Sequence, residues 1–254
     1  MTAKGVGNGI SLIIFAGIVS RLPDGLQVIY QYLQAGTVNI LNVALFAAIA
    51  LLMIVFVIII YQGIRKVPVQ YAKRVVGRKS YGGHSSYLPL KVNQAGVIPI
   101  IFASSVLMFP VTIAQFVDIP WVKTIGDWFR WGTPFQTTLY VLMIFFFTYF
   151  YTAVSLNIED LSDNIKKNGG FIPGLRPGKP TTDYLDRVMS RITFAGAIFL
   201  SLIALMPNAI AWMTGIEGIY FGGTALLIVV GVALETMKQI ESMVIMRHYH
   251  GFMK

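Results

Sequence analysis

Cysteine is absent from this 254-residue chain. That excludes a disulfide scaffold, thiolate catalysis, Cys-ligated zinc and iron–sulfur clusters. Charge is scarce too. Only 12% of residues are Asp, Glu, Lys or Arg, about half the ~25% of an ordinary soluble domain. So few charges cannot cover a core of this size in water. Disorder is excluded by the opposite shortage, since it needs low hydrophobicity; here 56% of residues are apolar or aromatic and the mean hydropathy is +0.68. No Gly-Lys-Ser/Thr phosphate loop, Gly-x-Ser-x-Gly elbow or His-Glu-x-x-His pair occurs. An integral membrane protein remains.

Apolar runs mark six spans, near Gly9–Leu22, Ile40–Tyr61, Gly96–Val117, Phe135–Leu156, Ile192–Met213 and Tyr220–Leu234. Crossing the hydrocarbon takes about 20 helical residues. The first run is short, so it crosses only if shielded by other helices or extended toward Leu33. With the N-terminus inside, 17 of the 20 Lys and Arg residues fall on the inner side. Arg21, Lys123 and Arg130 fall outside. That split is the bias expected of cytoplasmic loops, and it accounts for the net charge of +9 before any partner is invoked. The reading is an all-α polytopic membrane protein with six transmembrane helices, N-in and C-in, and a cytoplasmic β-hairpin-like loop. Its parts are two helices and an outside loop (1–61), a basic cytoplasmic loop (62–95), two helices around a Trp-rich outside loop (96–156), a second cytoplasmic loop (157–191), two helices (192–236) and a cytoplasmic tail (237–254). Trp121, Trp128 and Trp131 suit an amphipathic segment lying in the membrane interface.

Two loops exceed what topology needs. Loop 62–95 holds seven basic residues and no acid. Its two apolar, strand-like stretches flank Gly77 and Gly82-Gly83, which predicts a hairpin. It is either an over-built topology determinant or a docking surface for an acidic protein or RNA. In loop 157–191, acids nearly balance bases. Leu161–Lys167 is predicted helical and stops at Asn168-Gly169-Gly170. Two Pro-Gly turns then hold Arg176, as an incidental residue of a stiff turn or as a displayed contact.

Inside the spans, titrating groups are missing until Glu235. This argues against a proton-coupled transporter, a pump and an intramembrane protease. His248 and His250 read as a solvated tail, and neither metal nor cofactor is expected. The third run instead carries Pro99, Ser104, Ser105 and Pro110, the makings of a helix that kinks and whose serines offer hydrogen bonds across a breakable seam.

Several strings resemble the SecY family, the channel subunit of the bacterial protein translocase: Gly5-Val-Gly-Asn-Gly-Ile-Ser-Leu-Ile-Ile-Phe-Ala-Gly-Ile-Val, Val69-Gln-Tyr-Ala-Lys-Arg, Leu88-Pro-Leu-Lys-Val-Asn, Gly96-Val-Ile-Pro-Ile-Ile-Phe-Ala-Ser-Ser, Phe150-Tyr-Thr-Ala, Pro173-Gly-Leu-Arg-Pro-Gly and Phe221-Gly-Gly-Thr-Ala-Leu-Leu-Ile-Val-Val. The tail from Arg247 is similar to that of Bacillus-type members. The resemblance covers spans five to ten of a ten-span fold; the first four, with the plug, have no counterpart here, which makes the chain a C-terminal part. The resemblance implies a non-enzymatic, protein-conducting channel in the bacterial plasma membrane. It passes unfolded secretory polypeptides and releases membrane proteins sideways. It further implies a pore ring at Ile10, Ile14, Ile101 and Ile228, and a lateral gate along Asn93, Gln94, Pro99, Ser104, Ser105 and Phe109. Docking of a motor or ribosome is implied at Arg65, Lys66, Lys73, Arg74, Arg78, Lys79 and Arg176. The implied partners are the N-terminal half of SecY, SecE, SecG, the SecA motor, the ribosome with its RNA, signal peptides, unfolded polypeptides and anionic lipids. Two rivals stand beside it: half of a secondary transporter for a neutral solute, and a scaffold whose basic loops bind anionic lipid.

Overall fold

A computed structural model describes residues 9–71, 74–76, 79–81, 85–116, 119–130, 132–215 and 223–251. In chain order the elements are α1 (Gly9–Val19), α2 (Leu22–Gln34), α3 (Ile40–Gln62), β1 (Ile64–Tyr71), β2 (Arg74–Val76), β3 (Lys79–Tyr81), β4 (Ser85–Lys91), α4 (Ile98–Phe116), α5 (Pro120–Trp128), α6 (Pro134–Ser155), α7 (Ile158–Lys167), β5 (Gly170–Phe171), α8 (Lys179–Thr214) and α9 (Gly223–Gly251). Among the described residues, five helical stretches are long and apolar enough to cross a membrane: Ser11–Gln34, Ile40–Gln62, Ile98–Phe116, Pro134–Lys167 and Lys179–Thr214. Their outward faces stay apolar, with Phe116 at 85% and Trp212 at 89% exposed. Water would penalise such surfaces; lipid does not.

The helices follow from local chemistry. α3 has no charged residue in 23 positions, so in lipid only an internally hydrogen-bonded helix satisfies its backbone. Thr133 caps α6 by accepting the Gln136 N–H at 3.2 Å, with Pro134 at the first helical position. Asn157 caps α7 through Oδ1, which accepts from the Glu159 and Asp160 amides at 3.1 and 3.3 Å. Acids in its first turn and lysines in its last complement the helix dipole.

The first span takes the extended form, reaching past Leu33. α1 stops at Val19, and α2 resumes at Leu22 with Pro23 in its first turn and Asp24 beside the positive helix end. The candidate span Ser11–Gln34 therefore contains Arg21 and Asp24, so charge does enter a span.

Two compact units emerge, residues 1–59 with 202–254, and residues 60–201. In the first, Met53, Ile210 and Leu226 form a small core with Phe46, Ile49 and Met206 around it. Asn42 Nδ2 donates to the Thr214 carbonyl at 3.4 Å, and α1 packs on α9. In the second unit α4 packs against α5 and α6. It also holds a small β-containing body. There β1 pairs antiparallel with β4, from Ile64↔Lys91 to Gln70↔Ser85, and with β5 at Gln70↔Phe171 and Tyr71↔Gly170. The predicted hairpin is thus present, and β2 with β3 forms a separate two-stranded sheet. Because β5 meets only Gln70 and Tyr71, Pro68 sits where β1 is still an edge and its missing N–H breaks no rung.

Val67, Val69 and Leu90 turn inward from the sheet onto Ile165 of α7, Ile172, and Leu185 and Met189 of α8. This core makes the body one structure. Leu185 is fully buried within it. Leu185→Ala should cost the body about 2–5 kcal/mol. Hydrogen exchange should then speed up across β1, β4 and α7 while α4 and α6 keep their protection.

Candidate functional site

The two loops read separately from sequence share the core just described, through β5 and the first turns of α8. The body therefore joins both loops in one folded unit. Arg65 and Lys66 lie exposed on β1. Arg74 and Lys79 belong to β2 and β3, paired as Arg74↔Tyr81 and Val76↔Lys79. Lys73 and Arg78 lie outside the described residues.

Arg176 stands exposed on the turn between Ile172 and Thr181. The Leu175 N–H donates to the Ile172 carbonyl at 3.0 Å, and Thr181 Oγ1 donates to the Arg176 carbonyl at 2.9 Å. Gly174 and Gly178 take φ of +84° and +110°, backbone that a side chain would strain. Four constraints thus fix this backbone while leaving the guanidinium in solvent, so the charge is presented without paying much ordering entropy on binding.

On α4, Pro99 is buried in the first turn, where its lack of an N–H is harmless. Asn93 is buried ahead of the helix, and Gln94 is half-buried. The helix continues through Pro110. Ser104 and Ser105 each make a bond within α4. Both hydroxyls donate to the Ile101 carbonyl of their own helix, at 2.9 and 2.7 Å, because that acceptor is always one turn away. Phe109 is exposed and lines, with Val106, Ile113 and Trp121, an apolar groove of about 680 Å³ between α4 and α5. The expected interfacial segment is α5, with Trp121 and Trp128 exposed; Trp131 lies outside the described residues.

Of the ring candidates, Ile10 and Ile14 lie on α1 and Ile228 on α9, and those helices pack together. Ile14 keeps 43% of its surface exposed, and Ile228 is half-buried. Ile101, 42% exposed, lies on α4 in the other unit.

Sequence reasoning missed β5 and the start of α8. Two residues are too few for a periodicity signal. The start of α8 did carry one: Thr181, Leu185, Met189 and Thr193 recur every fourth residue, and all are buried.

Apolar spans and a small basic β-body define a polytopic membrane protein with a folded body between its spans. A model of the SecY family matches residues 1–237. A protein of Halalkalibacterium halodurans, named protein translocase subunit SecY, is 50% identical over 100% of this chain and 61% of its own length. Proteins of the same name from Aquifex aeolicus and Thermotoga maritima are each 47% identical over 100% of this chain, and over 59% and 57% of their own lengths. A solved structure described as that of a protein-conducting channel overlays with a TM-score of 0.62 at 20% identity, covering 95% of this chain and 60% of that one. A second, from a study of the SecY plug domain, gives 0.63 at 19% identity, with 95% and 61% covered. The chain belongs to the SecY family and is a multi-pass protein of the bacterial plasma membrane. It spans about 60% of the length of the curated relatives it matches.

Proposed function

We propose that this chain is the C-terminal part of a protein-conducting channel that moves unfolded secretory polypeptides across the plasma membrane and releases membrane proteins into it. One observation carries the reading: alignment over the whole of this chain, at 47–50% identity, with proteins named protein translocase subunit SecY. The chemistry of the chain supports it. Exposed isoleucines on α1 and α4 suit the wall of a hydrophobic constriction. A rigid basic surface suits a partner that pushes. The work is conduction, and no residue is assigned a catalytic role.

In this reading the topology is N-in and C-in with six spans, the sixth supplied by α9. At 29 residues α9 reaches about 43 Å, enough to cross and project beyond. The β-body is then cytoplasmic and receives the SecA motor or the ribosome. SecE, SecG and the N-terminal half complete the channel, signal peptides enter beside α4, and anionic lipid meets the basic loops.

The test is reconstitution of the complete protein containing this chain, with its partners, in vesicles. A motor and ATP should drive an unfolded secretory polypeptide into protease-protected space. Solute accumulation without protection of the polypeptide would overturn the reading in favour of a transporter. Reversing Arg65, Lys73 and Arg74 to glutamate should weaken motor or ribosome binding by about tenfold or more at low salt. The difference should shrink as salt screens the surface. Unchanged affinity would leave loop 62–95 a topology determinant.

A further inference from the structure

A groove of about 720 Å³ runs between the C-terminal end of α6, the start of α7 and the first turns of α8, all within the unit 60–201. The chain has 20 Lys and Arg against 11 acids. Yet no Lys or Arg lines this groove, and three acids do: Glu159, Asp183 and Asp186. All three are exposed.

Both walls change character along their length. On α8 the lining runs from Asp183 and Asp186 through Ser190 to Thr193; facing it, the lining runs from Glu159 at the head of α7 back to Thr152 and Tyr149 on α6. The Tyr149 hydroxyl donates to the Ser190 carbonyl at 3.2 Å, which fixes the register of the two walls. Carboxylates therefore gather at one end and hydroxyls at the other. The ten residues from Asp183 to Thr193 cover about 15 Å of helix, enough to pass from the headgroup layer into the hydrocarbon.

The hydroxyl end has bonding capacity to spare. Thr148 on α6 and Ser201 on α8 are buried, and each donates to the carbonyl one turn back, at 2.6 and 2.8 Å. Thr152 and Thr193 are as well buried, at 8% and 5% exposed. Among the described residues neither hydroxyl makes such a bond, and both residues line the groove. A buried hydroxyl without a partner is unfavourable, so an acceptor in the groove would be bound there.

We propose that this groove binds one phospholipid whose headgroup ends in a primary ammonium. Such a lipid carries its groups in the order the walls require. The acyl chain follows α6 past the exposed Val154. Phosphate and ester oxygens accept from Thr152 and Thr193. The ammonium, with three N–H donors, meets the carboxylates of Asp183 and Asp186 in charge-assisted bonds. An anionic headgroup is repelled by the three acids. A basic helix would match the acids, but its carbonyls are spent within it and would leave the two hydroxyls unpaired. The site needs only that α6 and α8 cross the membrane, and it stands apart from polypeptide conduction.

The test is native mass spectrometry of the complete protein with its partners, titrated with dioleoyl phosphatidylethanolamine, phosphatidylcholine or phosphatidylglycerol. One phosphatidylethanolamine should be held about tenfold more tightly than phosphatidylcholine, whose trimethylated ammonium donates no hydrogen bond. Asp183→Asn with Asp186→Asn should bring phosphatidylethanolamine down to the level of phosphatidylcholine and leave phosphatidylglycerol no weaker. Thr193→Val should weaken phosphatidylethanolamine and phosphatidylcholine alike, by severalfold, since both carry the phosphate. Equal affinity of the wild-type protein for the two lipids overturns the proposal. So does a phosphatidylethanolamine affinity unmoved by the asparagine pair, or one that falls in step with that for phosphatidylglycerol. Cross-linking of an Asp186→Cys protein to a partner polypeptide in the assembled complex would seat protein in the groove and also overturn it. If the asparagine pair does not assemble, Asp186→Asn alone carries the same comparison, with a severalfold loss expected and no loss overturning the site. None of these readouts involves transport, so the channel reading and this site fail separately.

Discussion

Arg176→Glu is expected to lower motor-driven translocation by about a hundredfold while leaving the protein folded. Hydrogen bonds to a charged group contribute about 1.5–3 kcal/mol. Reversal also places like charges against an acidic partner, at a further cost of several kcal/mol. At about 1.4 kcal/mol per decade, the two costs together reach at least two decades. Stability should hold, because the turn rests on Gly174, Gly178 and the Thr181 hydroxyl, and the Arg176 side chain is exposed. Arg176→Lys should fall between. It keeps the charge but loses the planar fork that pairs bidentately with a carboxylate. The check is ATP-dependent protection of an unfolded polypeptide, alongside an unfolding curve superimposing on that of wild type. Full translocation by Arg176→Glu would make the arginine an incidental residue of a stiff turn. Lost translocation with an earlier unfolding midpoint would point to the fold instead.

What the sequence disclosed, and what it hid, divides along range and redundancy. Five of the six expected spans were legible because a long apolar run leaves one solution in lipid. The end of α7 was legible from its Asn-Gly-Gly stop, and the turn at Arg176 from its paired Pro-Gly steps, since both signals are local. The hairpin was legible from its strand residues and glycines. β5 was not: its two residues gain meaning only from Tyr71 and Gln70, a hundred positions earlier in the chain. The two long loops therefore read as separate when they share one core. The bonds that Ser104 and Ser105 make within α4 were illegible for a related reason. Composition shows that a hydroxyl is present; the choice between a neighbouring helix and the Ile101 carbonyl is geometric. Nor does the pattern betray that Asn93 is buried without a partner among the described residues, since an exposed asparagine before a helix would be written the same way.

Replacing Ile14 and Ile228 together with asparagine should make resting vesicles leak small ions at least about tenfold faster than wild type. A narrow apolar constriction expels water, and ions do not cross a dry gap. Each carboxamide favours water in the constriction by on the order of 1–3 kcal/mol, and about 1.4 kcal/mol is already one decade in occupancy. Ile14 and Ile228 make the sharpest pair because α1 and α9 pack together. Ile13 provides the control. It neighbours Ile14 on α1 but points elsewhere and is 75% exposed, so Ile13→Asn should stay sealed. Ile101→Asn then asks whether the second unit contributes to the same constriction: a leak enhanced beyond that of the double variant places Ile101 in the ring, and an unchanged one removes it. Flux of a small anion from loaded vesicles measures all four proteins. If the Ile14 and Ile228 pair leaks no more than Ile13→Asn, the seal lies elsewhere and these isoleucines are ordinary packing between helices. A leak confined to the pair means the barrier is a dewetted gap, which asks of its residues only that they be apolar, flexible and aligned. Such a barrier opens around a peptide and recloses behind it without any titrating group, which is why so few charges suffice for the work this chain is assigned.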